Sequence, residues 1–300
     1  MTAHTGVEVT HPDRVMFPAD GFRKRDIVEY YGAVAEFMLP HLRGRALNAQ
    51  RFPRGIGEKG FLQQDFADSL PHWMGRVEVA KEHGTVVHPV AESPDALRWL
   101  ANQNCITLHA WQSRQGRLHH PDRLIFDLDP SRTDFAVVRA TALAVGGLLR
   151  DLGLVSYLQV TGSRGIHVVV PVRADTEFDT ARQFARDVAE VVVAEDPEHR
   201  TVEVRKEKRD GRVYLDVMRN AYAQTAVAPY SIRPRDGAPV ATPLGWDELD
   251  TRGLRADRFT IRDVPKRLAG QSDPWANMSR HARSLSGPLQ RLTRLRARTA

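Results

Sequence analysis

In Arg123-Leu-Ile-Phe-Asp127-Leu-Asp129-Pro130, two aspartates stand two residues apart at the end of an apolar run. Leu124, Ile125 and Phe126 read as a buried strand running from Arg123 to Leu128 and closing at a Pro-Ser turn. Side chains alternate along a strand, so Asp127 and Asp129 emerge on the same face, about two residue rises apart. Carboxylates that close raise each other's pKa unless a cation stands between them, and a divalent metal held by hard oxygens is the usual remedy. The same repulsion predicts that removing either aspartate slightly raises metal-free stability. The plainer alternative is a strand end whose aspartates cap the next helix and stay solvated.

A third carboxylate stands in Arg212-Val-Tyr-Leu-Asp216-Val-Met. Val213, Leu215 and Val217 would share one strand face, leaving Tyr214, Asp216 and Met218 on the other. Three carboxylates on one sheet face suit two metal ions that clamp the attacking and leaving oxygens of a phosphoryl transfer. Between them runs Thr161-Gly-Ser-Arg-Gly-Ile-His167. Its glycines permit turns that aim amide hydrogens at an anion, and Ser163, Arg164 and His167 could add a hydroxyl, a cation and an imidazole. A glycine hairpin with a half-buried His167 is the bland alternative. Past Asp216 come Arg219-Asn220 and Thr225-Ala-Val-Ala-Pro-Tyr-Ser-Ile-Arg233, a mostly neutral stretch ending in an arginine.

The elements that must carry these residues follow from periodicity. Asp134 to Leu152 reads as a long helix stopped by Gly153, Ser156–Val160 and Ile166–Val172 as strands, Asp179 to Glu195 as a second helix, and Val213–Met218 as a strand. Strand, helix, strand, strand, helix, strand is the order of a ferredoxin-like sheet, in which the first and last strands can be neighbours. Upstream, Asp26 to Leu39 predicts an amphipathic helix closed by Pro40, 76–90 two strands broken at His83-Gly84, Ser93-Pro94 a helix start, and 104–111 a strand bearing His109. Residues 42–66 interleave Arg43, Arg45, Arg51, Arg54 and Lys59 with Phe52, Phe61 and Phe66, fitting either a groove where bases stack and phosphates pair or a basic hairpin with its aromatics in the core. Residues 219–245 look irregular. Punctuation near 116–121 predicts an N-terminal module, 1–120, and a catalytic core, 121–300, together forming one bilobal unit.

Composition narrows the partner. The net charge of +6 and the pI near 9.7 favour a polyanion, and arginine supplies 37 of the 43 basic residues. No apolar run reaches the roughly 18 residues of a membrane span. The start lacks a signal peptide's basic and apolar regions, which predicts the cytoplasm. One cysteine, Cys105, excludes an intrachain disulfide or a multi-cysteine zinc site and reads as a small core residue.

Asp127-Leu-Asp129, Ser163-Arg-Gly-Ile-His167, Leu215-Asp-Val-Met-Arg-Asn220 and Val227-Ala-Pro-Tyr-Ser-Ile-Arg233 together resemble the polymerase domain of bacterial DNA ligase D, the end-joining branch of the archaeo-eukaryotic primases. The resemblance runs from about Val7 to Trp246. It implies an α+β primase-polymerase fold, with an antiparallel ferredoxin- or RRM-like catalytic sheet, packed helices and an N-terminal α/β module. It implies that Asp127, Asp129 and Asp216 hold two divalent ions, Mn2+ or Mg2+. Ser163, Arg164, His167, Arg233, His109 and Arg51 would bind the nucleotide, Phe61 would stack on the template, and His11, Arg14 and Lys24 would take a DNA 5′-phosphate. Gln50 and Leu62 depart from the family, standing where a lysine and a second aromatic are expected. The implied partners are gapped or broken DNA, ribo- or deoxyribonucleoside triphosphates, a ligase and a Ku-type end-binding protein, in a nucleoid-associated bacterial enzyme with no membrane. Two other readings compete: a haloacid-dehalogenase-type phosphatase, in which Asp127 would be phosphorylated, and a non-catalytic DNA-end-binding module.

Overall fold

The computed structural model describes residues 6–131 and 134–299. The chain forms two compact units. One takes the residues up to Gln115 together with Thr225–Thr242 and Phe259–Asp273; the other takes Gly116–Gln224, Pro243–Arg258 and the residues from Pro274 on. The chain thus leaves its first unit after Gln115 and returns to it twice, at Thr225–Thr242 and Phe259–Asp273.

In the first unit, β1 (Val15–Phe17) and β2 (Phe22–Arg23) form a small ribbon ahead of α1 (Lys24–Ala33) and α2 (Ala35–Leu42). The single helix expected over Asp26 to Leu39 is therefore two, broken at Val34, and Pro40 lies inside α2 instead of ending it. β3 (Leu47–Arg51) and β4 (Phe61–Gln63) follow, then the hairpin of β5 (Gly75–Lys81) and β6 (Gly84–Val90). α3 (Pro94–Asn102) starts as its sequence predicts, with Ser93 Oγ accepting from the Ala96 amide at 3.2 Å. β7 (Cys105–Trp111) lies against β3 in an antiparallel sheet. Cys105 is fully buried, and burial pushes its thiol up to about 12, so it is a core residue and no nucleophile.

The second unit carries the ferredoxin-like order. β8 (Arg123–Pro130), α4 (Phe135–Asp151), β9 (Tyr157–Val160), β10 (Ile166–Pro171), α5 (Phe178–Glu195), β11 (Arg200–Thr201) and β12 (Val213–Asp216) succeed one another. After them, β13 (Thr225–Val227) joins β7 in the first unit, while β14 (Thr242–Leu244) closes the second unit's sheet in the order β11-β12-β8-β10-β9-β14. Pairing along β12-β8-β10-β9 is antiparallel throughout. β8 runs two residues past its predicted end because Asp129 and Pro130 still pair with Tyr214 and Val213. Leu124, Phe126 and Leu128 are fully buried on one face of β8, α4 and α5 pack on that strand, and Val138 and Val145 of α4 and Phe184 and Val188 of α5 are fully buried too. Each such side chain contributes about 1.5–3 kcal/mol of burial, and the alternate positions of β8, the two aspartates among them, lie on the opposite face. The chain ends in α6 (Asp263–Gly270) in the first unit and α7 (Ser286–Thr299) in the second. Among the described residues, no helix is long and apolar enough to cross a membrane.

Candidate active site

Strand register assembles the candidate site of the second unit. Asp216 on β12 lies directly opposite Asp127 on β8, and His167 on β10 lies opposite Asp127 from the other side. Cross-strand partners share a face, so Asp216, Asp127 and His167 form one row over three strands. Asp129, two residues along β8, joins the same face opposite Tyr214.

The charges on this face are interlocked. His167 Nε2 stands 3.5 Å from Asp127 Oδ1, while Arg219 Nε stands 3.5 Å from Asp127 Oδ2 and 3.6 Å from Asp216 Oδ2. Asp129 meets Arg164 at 3.2 Å and Arg209 at 3.4 Å. Burial by itself would push the Asp127 carboxyl up, but His167 and Arg219 outweigh it and hold the group below its usual range. Asp216 goes the other way, raised first by burial and then by the charge of Asp127. Repulsion between the carboxylates is therefore concentrated on Asp216. Loss of Asp127 would relieve that repulsion but forfeit the favourable pairing of Asp127 with His167 and Arg219.

Three local devices hold these groups. Asn220, fully buried, accepts from the Ile125 amide and donates to the Ile125 carbonyl, both at 2.7 Å, so the turn after β12 is pinned to β8. Asp216 Oδ1 accepts from the Met218 amide at 2.8 Å, fixing the turn that carries Arg219. Arg209 lies with its guanidinium 3.9 Å over the Tyr214 ring and donates to the Glu203 and Val204 carbonyls. Periodicity gave no signal for Arg209, which reaches the site only because the chain folds back between β11 and β12. A cleft of about 630 Å3 opens beside Asp129, with Ser131, Arg164, Lys206, Arg209 and Gly211 in its wall.

Backbone and side-chain bonds fix the base of the glycine loop. The amides of Thr161, Gly162 and Gly165 donate to the Gly165 carbonyl, the Ala256 carbonyl and Thr161 Oγ1, respectively. Ser163 and the half-exposed Arg164 lie at the tip of this loop. Gly165 is required by contact, since a Cβ there would lie 2.1 Å from the Leu128 carbonyl oxygen, between the two aspartates of β8.

The remaining candidates belong to the first unit. His109 on β7 pairs with Asn48 and Val227, and Arg233 follows β13 with its amide donating to the Pro239 carbonyl at 2.7 Å. Arg14 donates to the Pro53 carbonyl at 2.8 Å, and Lys24 donates to Thr10 Oγ1 at 2.9 Å. Lys24 is buried at 2% exposure, not a solvated surface charge, and burial, Arg14 and Arg51 together lower its ammonium to about 8. Arg51 therefore bears electrostatically on Lys24. It also donates to Gln63 and to the Gln103 carbonyl and lies 5.7 Å from the centre of the exposed Phe61 ring. His11 adopts the left-handed conformation just ahead of Arg14. Gln50 and Leu62, the two departures from the family pattern, are direct cross-strand partners on β3 and β4, so they form one paired change.

The donor set suits divalent cations in kind: three hard-oxygen carboxylates on one sheet face, with guanidinium charge already drawn between them. Among the described residues, no three His, Cys, Asp or Glu side chains stand close enough together, as they lie, to hold a metal ion. Binding would require Asp129 to turn from Arg164 and Arg209, and Arg219 to yield its place between Asp127 and Asp216.

Comparison with known proteins follows the same lines. Residues 23–275 match the family model described as LigD, primase-polymerase domain. The chain is 36% identical over 276 residues to the multifunctional non-homologous end joining DNA repair protein LigD of Mycobacterium tuberculosis, covering 89% of this chain and 36% of that protein. It is 30% identical over 281 residues to the bifunctional non-homologous end joining protein LigD of Bacillus subtilis, covering 93% of this chain and 45% of that protein. The chain thus spans less than half the length of these curated relatives. Among solved structures, the polymerase domain from Mycobacterium tuberculosis ligase D in complex with DNA superposes with a TM-score of 0.87 at 34% identity, covering 93% of this chain and 100% of that one.

Proposed function

Because the chain belongs to the LigD primase-polymerase domain family, a family of metal-dependent nucleotidyltransferases, we propose that it adds nucleotides under template direction at gaps and broken ends of DNA. The observation that carries this reading is the register that sets Asp216 opposite Asp127, with Asp129 on the same face. We assign Asp127, Asp129 and Asp216 to two divalent ions, manganese or magnesium. When bound, such ions neutralise charge on the transferring phosphoryl group and favour ionisation of the attacking hydroxyl. The chain's own part is positioning: His167 fixes the orientation of Asp127, and Ser163, Arg164 and His167 meet nucleotide phosphates. No protein nucleophile is needed, because an in-line attack by a primer 3′-hydroxyl on the α-phosphate expels pyrophosphate directly. His109, Arg51 and Arg233 are further nucleotide ligands by family likeness, and Phe61 is the template-stacking ring. Ribonucleotides are the favoured substrates, a ligase and a Ku-type end-binding protein the partners, and the bacterial nucleoid the setting. The phosphatase alternative leaves Ser163–His167 and Asp216 unexplained, and the end-binding alternative gives no reason for three carboxylates on one face.

Primer extension on gapped DNA with manganese and labelled nucleotides tests the proposal. Metal-dependent addition is the expected result, and no incorporation with either metal and any nucleotide would overturn it.

The proposed 5′-phosphate site makes a separate prediction about pH. A phosphate beside Lys24 favours the protonated ammonium, so its contribution is present below about 8 and is lost as pH rises through that value. Wild-type preference for gapped DNA bearing a 5′-phosphate over its 5′-hydroxyl twin should therefore be large at pH 7 and should shrink by pH 9, by up to roughly tenfold per pH unit. Lys24→Arg should keep the preference at pH 9, and Arg14→Ala with Lys24→Ala should erase it at both pH values. A pH-independent preference in the wild type would remove Lys24 from the site.

A further inference from the structure

Three segments of the first unit meet at one largely buried carboxylate, that of Asp273. His41, near the end of α2, lies with Nε2 2.6 Å from Asp273 Oδ2, and Tyr230 Oη donates to Asp273 Oδ1 at 2.6 Å. Tyr230 is 1% exposed and His41 5%. Both carboxylate oxygens are thus engaged, by partners from distant parts of the chain.

Tyr230 is also where the backbone turns. Its φ of 65° lies in the left-handed region, which a residue with a side chain holds only where its surroundings over-determine it. The turn brings Ser231 to Arg233 back against Pro239 to Ala241, with the Ala241 amide donating to the Ser231 carbonyl and the Arg233 amide to the Pro239 carbonyl. Ser231 and Ile232 are tied to β7 by their own bonds, from the Leu108 amide to Ser231 Oγ and from Thr107 Oγ1 to the Ile232 carbonyl. At Tyr230 the main chain is held by Tyr30 Oη, which donates to its carbonyl, and by the Ala241 carbonyl. The Asp273 bond adds a directional hold on the Tyr230 side chain, at the entry to the hairpin that bears Arg233.

We infer that the buried His41–Asp273–Tyr230 chain is a positioning device for Arg233, setting the hairpin that presents this guanidinium and thereby tuning nucleotide affinity. The inference rests on the proposed role of Arg233 as a ligand of nucleotide phosphates. His41 holds Asp273 in the rotamer that reaches Tyr230, and Tyr230 fixes the turn three residues before the arginine. None of the three touches the nucleotide; they act through the backbone.

Tyr230→Phe keeps the ring and the packing and removes only the hydroxyl. With it, and with Asp273→Asn, nucleotide Kd by calorimetry and nucleotide KM in primer extension should rise roughly five- to tenfold. kcat should stay within about twofold of wild type, and DNA affinity should be unchanged. In the Arg233→Ala background, Tyr230→Phe should add no further loss. If Arg233→Ala weakens nucleotide binding but Tyr230→Phe does not, the positioning role falls and the role of Arg233 stands. If Arg233→Ala itself leaves nucleotide affinity unchanged, the assignment of Arg233 falls and takes the inference with it. Equal losses in nucleotide and DNA affinity, or additive losses in the double variant, would also overturn it, since they mark general destabilisation. Should Asp273→Asn fail to fold, Tyr230→Phe alone decides the matter.

Discussion

Asp127→Asn and Asp216→Asn should both abolish nucleotide addition while moving the metal-free melting temperature in opposite directions. Asp127 is held below the usual carboxylate range because His167 and Arg219 outweigh its burial. A depressed folded-state pKa contributes stability that is present above the unfolded value, near 4, and lost as pH falls through the folded value. At pH 7 that contribution is complete, so asparagine at 127 forfeits it and leaves His167 and Arg219 short of a partner, at a cost of roughly 1–2 kcal/mol. Asp216 is raised by burial and by the charge of Asp127, so its ionised form opposes folding at neutral pH. Asparagine at 216 keeps the acceptor for the Met218 amide and removes that charge, which should raise the melting temperature by a few degrees at pH 7. The advantage should shrink as pH is lowered and the wild-type carboxyl takes up its proton. Melts in chelator at pH 7 and pH 4, run beside primer extension, decide the question. Equal losses of stability in both variants would refute this account of the charges, and wild-type extension by either would refute the metal assignment.

The catalytic sheet was legible because its signals are local and periodic. Continuous apolar residues before Asp127, the Gly153 stop, and helix-length patterns on both sides of the glycine loop specify a ferredoxin-like order, and that order makes β12 a neighbour of β8. The shared face of the three carboxylates then follows from strand alternation. What the sequence concealed depends on distant chain segments. Nothing near Arg209 marks it as a partner of Asp129, and nothing near Asn220 says that its amide will clamp Ile125, 95 residues away. The two-helix start of the first unit was hidden for another reason: the apolar spacing of α1 and α2 continues through Val34, so a period-based reading sees one helix where the backbone makes two. Lys24 shows the limit most plainly. A lysine beside an arginine in a polar stretch reads as solvated, and only the packed structure buries it.

Gly165→Ala should be the most damaging conservative change in the second unit. Its Cβ would lie 2.1 Å from the Leu128 carbonyl oxygen and 3.1 Å from the Leu128 carbonyl carbon, both backbone atoms of β8 that cannot swing aside. Either the glycine loop lifts away, carrying Ser163 and Arg164 with it, or β8 shifts at the residue between Asp127 and Asp129. Overpacking of this kind costs roughly 1–3 kcal/mol and sometimes more. A displacement of about 1 Å at reacting groups costs on the order of 100-fold in rate. The kinetic loss should therefore far exceed the loss expected from destabilisation at a temperature well below the melting point. Gly147→Ala is the matched control: it lies in α4, a Cβ there meets nothing within 4 Å, and alanine in a helix is worth roughly 0.5–1 kcal/mol over glycine. That variant should melt slightly higher than wild type and extend primers normally. Nucleotide calorimetry on Gly165→Ala separates the two routes of damage, since a lifted loop weakens nucleotide binding whereas a shifted β8 spares it and lowers kcat. Wild-type extension by Gly165→Ala would mean that the loop does not approach β8 this closely, and the placement of Ser163 and Arg164 beside the carboxylates would go with it.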